Sequence, residues 1–148
     1  MNEAETRADH IDPALKAAGW GMVEGSKILR EYPITPGRIE GHGRRGKPLT
    51  ADYVLVYRNT KLAVVEAKAW DEEMTEGVGQ AKDYAGKMAV RFTYATNGQG
   101  IYGIDMQTGQ EGLCRDGLAE IGQGAGTFLF DKLRHVAQPH IAVMHFAQ

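Results

Sequence analysis

The amino-acid sequence predicts an α/β fold in which helices flank a central mixed β-sheet. Three observations carry this expectation. Residues 51–57 and 61–68 are β-rich apolar runs separated only by Arg58-Asn59-Thr60, so they must form an antiparallel hairpin. Residues 80–90 read as a helix. Residues 92–96 and 100–106 read as two further strands around the turn Asn97-Gly98.

Each remaining element has a local reason. Residues 3–18 read as helix, with Asp12-Pro13 supplying a cap and first-turn pair that restarts or kinks it. Gly19-Trp20-Gly21 ends that element, and a strand follows near 27–32. Residues 33–48 are rich in Gly, Pro and Arg and read as loop. Residues 71–79 are an acidic loop or helix start, and Thr108-Gly109 is another turn. After Gly112 the pattern weakens, punctuated by Gly117, Gly122, Gly124 and Gly126. A final helix near 129–136 and a short strand near 141–146 are expected there. No internal repeat is present.

At 148 residues and 43% hydrophobic, the chain can bury one sizeable core, and a single domain is expected. Net charge is −2 and pI about 6.2, so a nucleic-acid partner would need local basic patches rather than a global field. The lone Cys114 excludes an internal disulfide framework and suits a reducing cytosol. The N-terminus is polar and acidic, unlike a signal peptide, and no apolar run reaches membrane-spanning length. A soluble, cytoplasmic protein without membrane contact is expected.

The run from Lys61 to Trp70 contains the most informative pair. Glu66 and Lys68 end an apolar strand, and residues two apart on a strand share a face. Burying such charges is costly unless they are paired or metal-bound. If Arg58-Asn59-Thr60 is a three-residue loop, Tyr57 faces Lys61, Val54 faces Val64 and Asp52 faces Glu66. Asp52, Glu66 and Lys68 then converge at one end of one sheet face. A one-residue slip would turn Asp52 away. Two adjacent carboxylates repel, and a hard cation such as Mg²⁺ removes the conflict. Lys68 could then orient a water or stabilise a developing oxyanion, as metal-assisted phosphodiester hydrolysis requires. The plainer alternative is a strand-end ion pair.

On the following helix Gln80 and Tyr84 are four residues apart and share a face. Gln can bond phosphate or base edges, and Tyr can stack on a base or donate to a phosphate. The alternative places Tyr84 against the sheet and Gln80 in solvent.

Asp52, Glu66-Ala67-Lys68 and Gln80-x-x-x-Tyr84, in this order, resemble the PD-(D/E)xK nuclease superfamily, and the Q-x-x-x-Y element its RecB-like branch. Glu3-Ala4-Glu5-Thr6-Arg7, Ile11-Asp12-Pro13, Ala18-Gly19-Trp20, Gly46-Lys47-Pro48 and Ala95-Thr96-Asn97-Gly98 are similar to the N-terminal nuclease domain of type I restriction enzyme R subunits. The likeness covers roughly residues 3–112. It implies a restriction-endonuclease-like fold and cleavage of double-stranded DNA with Mg²⁺, or Mn²⁺ as a substitute. It also implies a metal site from Asp52, Glu66 and the Ala67 carbonyl, and Lys68 as the catalytic lysine. Glu5 matches an acidic position that approaches the metal in this superfamily; the alternative is a helix N-terminal acid favoured by the dipole.

Two features depart from the family pattern. Ala51 stands where the superfamily name has proline. Residues 113–148 do not resemble the family's linker to a helicase motor, and no G-x-x-x-x-G-K-[ST] phosphate loop is present, so no ATPase is expected in this chain. The expected division is a nuclease domain over 1–112 and a divergent tail over 113–148 that completes or extends the same domain, with no helicase motor.

Arg38, His42, Arg44, Arg45 and Lys47 make the loop before Asp52 basic, and Gly41, Gly43 and Gly46 free its backbone, which suits phosphate contact. Asp71, Glu72, Glu73 and Glu76 form an acidic run on the other side of the motif, a solvated helix start. The leading expectation is a type I restriction endonuclease domain acting with methylation and specificity subunits. A RecB-like repair or mobile-element nuclease and a non-cleaving DNA-binding remnant are the competing readings.

Overall fold

The computed structural model describes residues 1–34 and 48–114. Six strands form one sheet in sequential order: β1 (Ser26–Pro33), β2 (Thr50–Tyr57), β3 (Thr60–Ala67), β4 (Phe92–Thr96), β5 (Ile101–Asp105) and β6 (Glu111–Cys114). All neighbours are antiparallel except β3 and β4, which run parallel. A parallel pair needs a crossover, and it is made by a 3₁₀ turn (Met74–Gly77) and helix α3 (Val78–Met88). The expected α/β architecture is the observed one.

The two faces of the sheet bury separate cores. Ile11, Leu15, Trp20, Tyr53, Leu55, Val65, Phe92 and Tyr94 pack on one face, beneath the N-terminal helices. Val54, Val56, Val64, Tyr84 and Val90 pack on the other, beneath α3. The alternation along β2 and β3 therefore separates the two layers residue by residue.

The β2–β3 hairpin corrects the expected loop. Tyr57 pairs with Thr60, not Lys61, leaving a two-residue turn of Arg58 and Asn59. Both adopt left-handed φ, +47° and +65°, as a type I′ hairpin turn requires. By itself this turn would set Asp52 opposite Val65. A bulge intervenes: Val56 pairs with Lys61 but Leu55 with Ala63, so Leu62 is an extra residue on β3. The bulge restores the parity that a three-residue loop would have provided, and Val54 faces Val64 as expected.

The first helix is not uniform. Its segments are α1 (Glu3–Thr6), a π-helical turn (Arg7–Ile11) and α2 (Asp12–Ala17). The Asp12 N–H reaches back five residues to the Arg7 carbonyl. Pro13 has no N–H to offer and its ring crowds the preceding turn, so the wider turn sits where a regular helix is least stable. Helix α3 begins two residues earlier than the expected 80–90 and ends at Ala89, whose left-handed φ of +54° stops it. Strand β6 lacks a sequence signal and runs across residue 112. The tail helix near 129–136 and strand near 141–146 lie outside the described residues.

One buried acid fastens the β4–β5 end of the sheet. Asp105 is inaccessible to solvent, accepts two hydrogen bonds from Arg91 at 3.0 Å each, and accepts the Gln107 and Thr108 backbone N–H groups. The Arg91 guanidinium, against the cost of burial, holds its pKa down to about 2. A depressed carboxylate stabilises the fold above its ordinary value of 3.8 and loses that contribution as pH falls toward 2. Asp105→Asn is expected to cost about 1.5–3 kcal/mol in urea unfolding at neutral pH, with a smaller loss as pH approaches 2.

Candidate active site

Hairpin register and strand crossover together build a charged cleft. Asp52 lies on β2, Glu66 near the end of β3, and Lys68 just beyond it. The Asp52 N–H donates to Glu66 Oε1 (3.3 Å), and the Ala67 N–H donates to Asp52 Oδ2 (2.8 Å). These crossed bonds between backbone and carboxylate hold both acids at one end of one face. The Lys68 N–H donates to the Thr96 carbonyl (2.8 Å), so β4 fixes the backbone that carries the lysine.

The cleft holds about 300 Å³ and is lined by Asp52, Glu66, Ala67 and Lys68 from the hairpin and by Gln80 and Tyr84 from α3. Gln80 Nε2 donates to the Tyr84 hydroxyl (2.9 Å), the pairing that four-residue spacing permits. Tyr84 is 7% exposed, so its ring packs on the sheet while its hydroxyl end reaches the cleft. Pro48, Leu49 and Thr50 complete the wall. Arg38, His42, Arg44 and Arg45 and Lys47 lie outside the described residues.

The acidic residue that α1 brings to the cleft is Glu3, not Glu5. Glu5 occupies the third position of a capping box: Asn2 N–H donates to its carboxylate (2.9 Å), and its own N–H donates to Asn2 Oδ1 (2.9 Å). The Asn2-x-x-Glu5 spacing signals that role in the sequence. Glu3, half a turn away, has no comparable signal, because its direction depends on how α1 docks.

Electrostatics follow from this crowding. Glu66 is 1% exposed. Burial, then the Asp52 charge, pushes its pKa far above the ordinary carboxylate range. Burial and Asp52 also raise Glu3, with Lys68 opposing both. Among the described residues, no three His, Cys, Asp or Glu side chains are close enough to make a metal centre by themselves. Asp52 and Glu66 nevertheless make a hard oxygen donor pair, which fits a divalent cation completed by a backbone carbonyl and waters.

Gly77 gives Lys68 its room. A Cβ on Gly77 would come within 3.4 Å of Lys68 Cε and 3.3 Å of Ala95 Cβ. Gly77→Ala is expected to displace the lysine, slowing any reaction that depends on it about tenfold at a nearly unchanged melting temperature. Equal rates in the two proteins would show that the lysine has slack.

No protein-family profile matches the chain. It is 34% identical over 118 residues to the type I restriction enzyme EcoAI endonuclease subunit of Escherichia coli, a match covering 77% of this chain and 14% of that protein. The solved fragment of a putative HsdR subunit of a type I restriction enzyme from Vibrio vulnificus YJ016 superimposes with a TM-score of 0.71 at 37% identity, covering 82% of this chain and 25% of that one. The chain thus spans a small part of the relatives it matches. Its homologues are type I restriction enzyme endonuclease subunits. Among the described residues, no helix is long and apolar enough to cross a membrane.

Proposed function

We propose that this chain is the DNA-cleaving domain of a type I restriction endonuclease subunit, of the PD-(D/E)xK type with the RecB-like Q-x-x-x-Y element. It hydrolyses phosphodiester bonds of double-stranded DNA. The observation that carries this reading is the meeting of Asp52, Glu66 and Lys68 in one cleft with Gln80 and Tyr84. The names of the homologous subunits support it.

Asp52, Glu66 and the Ala67 carbonyl would hold Mg²⁺, with Mn²⁺ as a substitute. Bound there, the cation would supply Lewis-acid polarisation of the phosphate and would lower the pKa of a water. Lys68 orients the attacking water and counters the negative charge that grows on the phosphate oxygens. Gln80 and Tyr84 donate to phosphate oxygens and set the register of the strand in the cleft. Arg44, Arg45 and Lys47 add salt-sensitive backbone contacts. DNA, and the methylation and specificity subunits of a restriction complex, are the proposed partners.

Incubation with supercoiled plasmid tests this reading. Mg²⁺ should yield nicked and linear products, and a chelator should abolish them. An intact circle beside a degraded linear duplex would favour the RecB-like repair nuclease. Salt-sensitive binding with no cleavage of any substrate would identify a non-cleaving DNA-binding module.

A further inference from the structure

We propose that Arg7 is the positioning residue for Asp52, and that Glu31 and Tyr53 are its support. This inference rests on the nuclease reading for its catalytic consequence only. Arg7 Nη1 lies 3.7 Å from Asp52 Oδ1, and Nη2 donates to the Asp52 carbonyl (3.4 Å). Oδ2 of the same carboxylate is taken by the Ala67 N–H at 2.8 Å. Asp52 is therefore gripped on both oxygens, by a cation on one side and the β3 backbone on the other. A planar guanidinium can hold a carboxylate and its own backbone at once, which a lysine cannot.

Arg7 is in turn immobilised. Its Nε donates to the Tyr53 hydroxyl (3.3 Å), and its Cζ sits 4.8 Å from the centre of the Tyr53 ring. The Tyr53 hydroxyl donates to Asp12 Oδ1 (2.7 Å), which pairs with Arg30 at 3.5 Å. Arg7 also forms an ion pair with Glu31. Its side chain is 16% exposed and does not line the cleft, so it acts through Asp52 rather than on DNA.

Glu31 gives an independent indication. Arg30 pairs with Tyr53 and Tyr32 with Ala51, but between them, opposite Asp52, the β1–β2 pairing lapses. Glu31 there adopts a left-handed φ of +50°. Such backbone is unfavourable for a residue with a side chain and persists where the surroundings enforce it. The lapse turns the Glu31 carboxylate onto Arg7. The π-helical turn starts at Arg7 itself, so the helix and β1 both depart from regular geometry around this one guanidinium.

A double-mutant cycle in unfolding midpoint, without metal or DNA, reads the coupling directly. Arg7→Met should lower the midpoint of the otherwise native chain, and lower that of the Asp52→Asn variant by less than half as much. Equal shifts in both backgrounds would reduce Arg7 to packing on Tyr53 and overturn the proposal. In plasmid cleavage, Arg7→Met should cut kcat at least tenfold with the DNA KM within twofold, and Arg7→Lys should recover only part. Native kcat in Arg7→Met would equally overturn it. A wild-type chain that does not cleave refutes the nuclease reading, while the cycle still decides whether Arg7 holds Asp52. Should Arg7→Met not fold, Glu31→Gln, at an exposed side chain, is carried through the same cycle with a smaller coupling in the same sense.

Discussion

Replacing Lys68 with alanine is expected to lower Mg²⁺-dependent plasmid cleavage by about 10²–10³-fold, the usual cost of losing one donor aimed at developing charge. The fold should be unaffected. The lysine contributes its backbone N–H to the β4 ladder whatever its side chain, and the residue is only partly buried where it lines the cleft. DNA binding in the presence of Ca²⁺ should change by less than threefold, because one phosphate contact is a small part of a basic footprint. Lys68→Arg should restore a minor fraction, since a guanidinium keeps the charge but not the compact point of it. Cleavage by Lys68→Ala at the wild-type rate would remove the lysine from the chemistry and the motif reading with it.

Glu66→Gln is expected to stabilise the metal-free protein at neutral pH. The sign follows from linkage. Burial and Asp52 raise the folded-state pKa of Glu66 above its ordinary 4.5, so the folded chain keeps a proton that the unfolded chain releases. The native state is therefore favoured most below pH 4.5. That advantage is lost as pH rises toward the folded-state value, by up to about 1.4 kcal/mol per pH unit. Melting temperatures of the wild type in chelator should fall from pH 5 to pH 8 more steeply than those of Glu66→Gln. Mg²⁺ should reverse the order, because it favours the ionised carboxylate and Gln cannot ionise. Parallel pH profiles for the two proteins would show that Glu66 is ionised at no cost.

The two predictions concern residues on which sequence and structure agree, but not for one reason. Glu66 and Lys68 are two apart on an apolar strand, so their common face follows from strand periodicity alone. The helix that carries Gln80 and Tyr84 was equally legible, because i and i+4 share a helical face in any surroundings. The antiparallel β2–β3 hairpin follows from its short connection and the alternation of its strands.

Asp52 is different. Its place opposite Glu66 depends on the parity of the hairpin, and the local turn by itself has the wrong parity. Arg58-Asn59 closes a two-residue turn, and Leu62 bulges to restore the register. Nothing in the sequence marks Leu62 as the bulged residue, since its apolar neighbours would pair equally well in either register. Burial decides it: the bulge puts Leu55 and Val65 in one core and Val54 and Val64 in the other.

The sequence by itself determined the α/β class, the two strand-end charges and the helix face that meets them, because period and spacing are local properties of the chain. Tertiary structure alone decided which acid of α1 enters the cleft, Glu3 rather than Glu5, and which cation grips Asp52. It also decided that β6 joins the sheet. The first two turn on how a short irregular helix docks against β1 and β2, through contacts that link residues 45 positions apart, beyond the reach of any local pattern. The third is a hairpin with β5 whose second strand has too few apolar residues to announce itself.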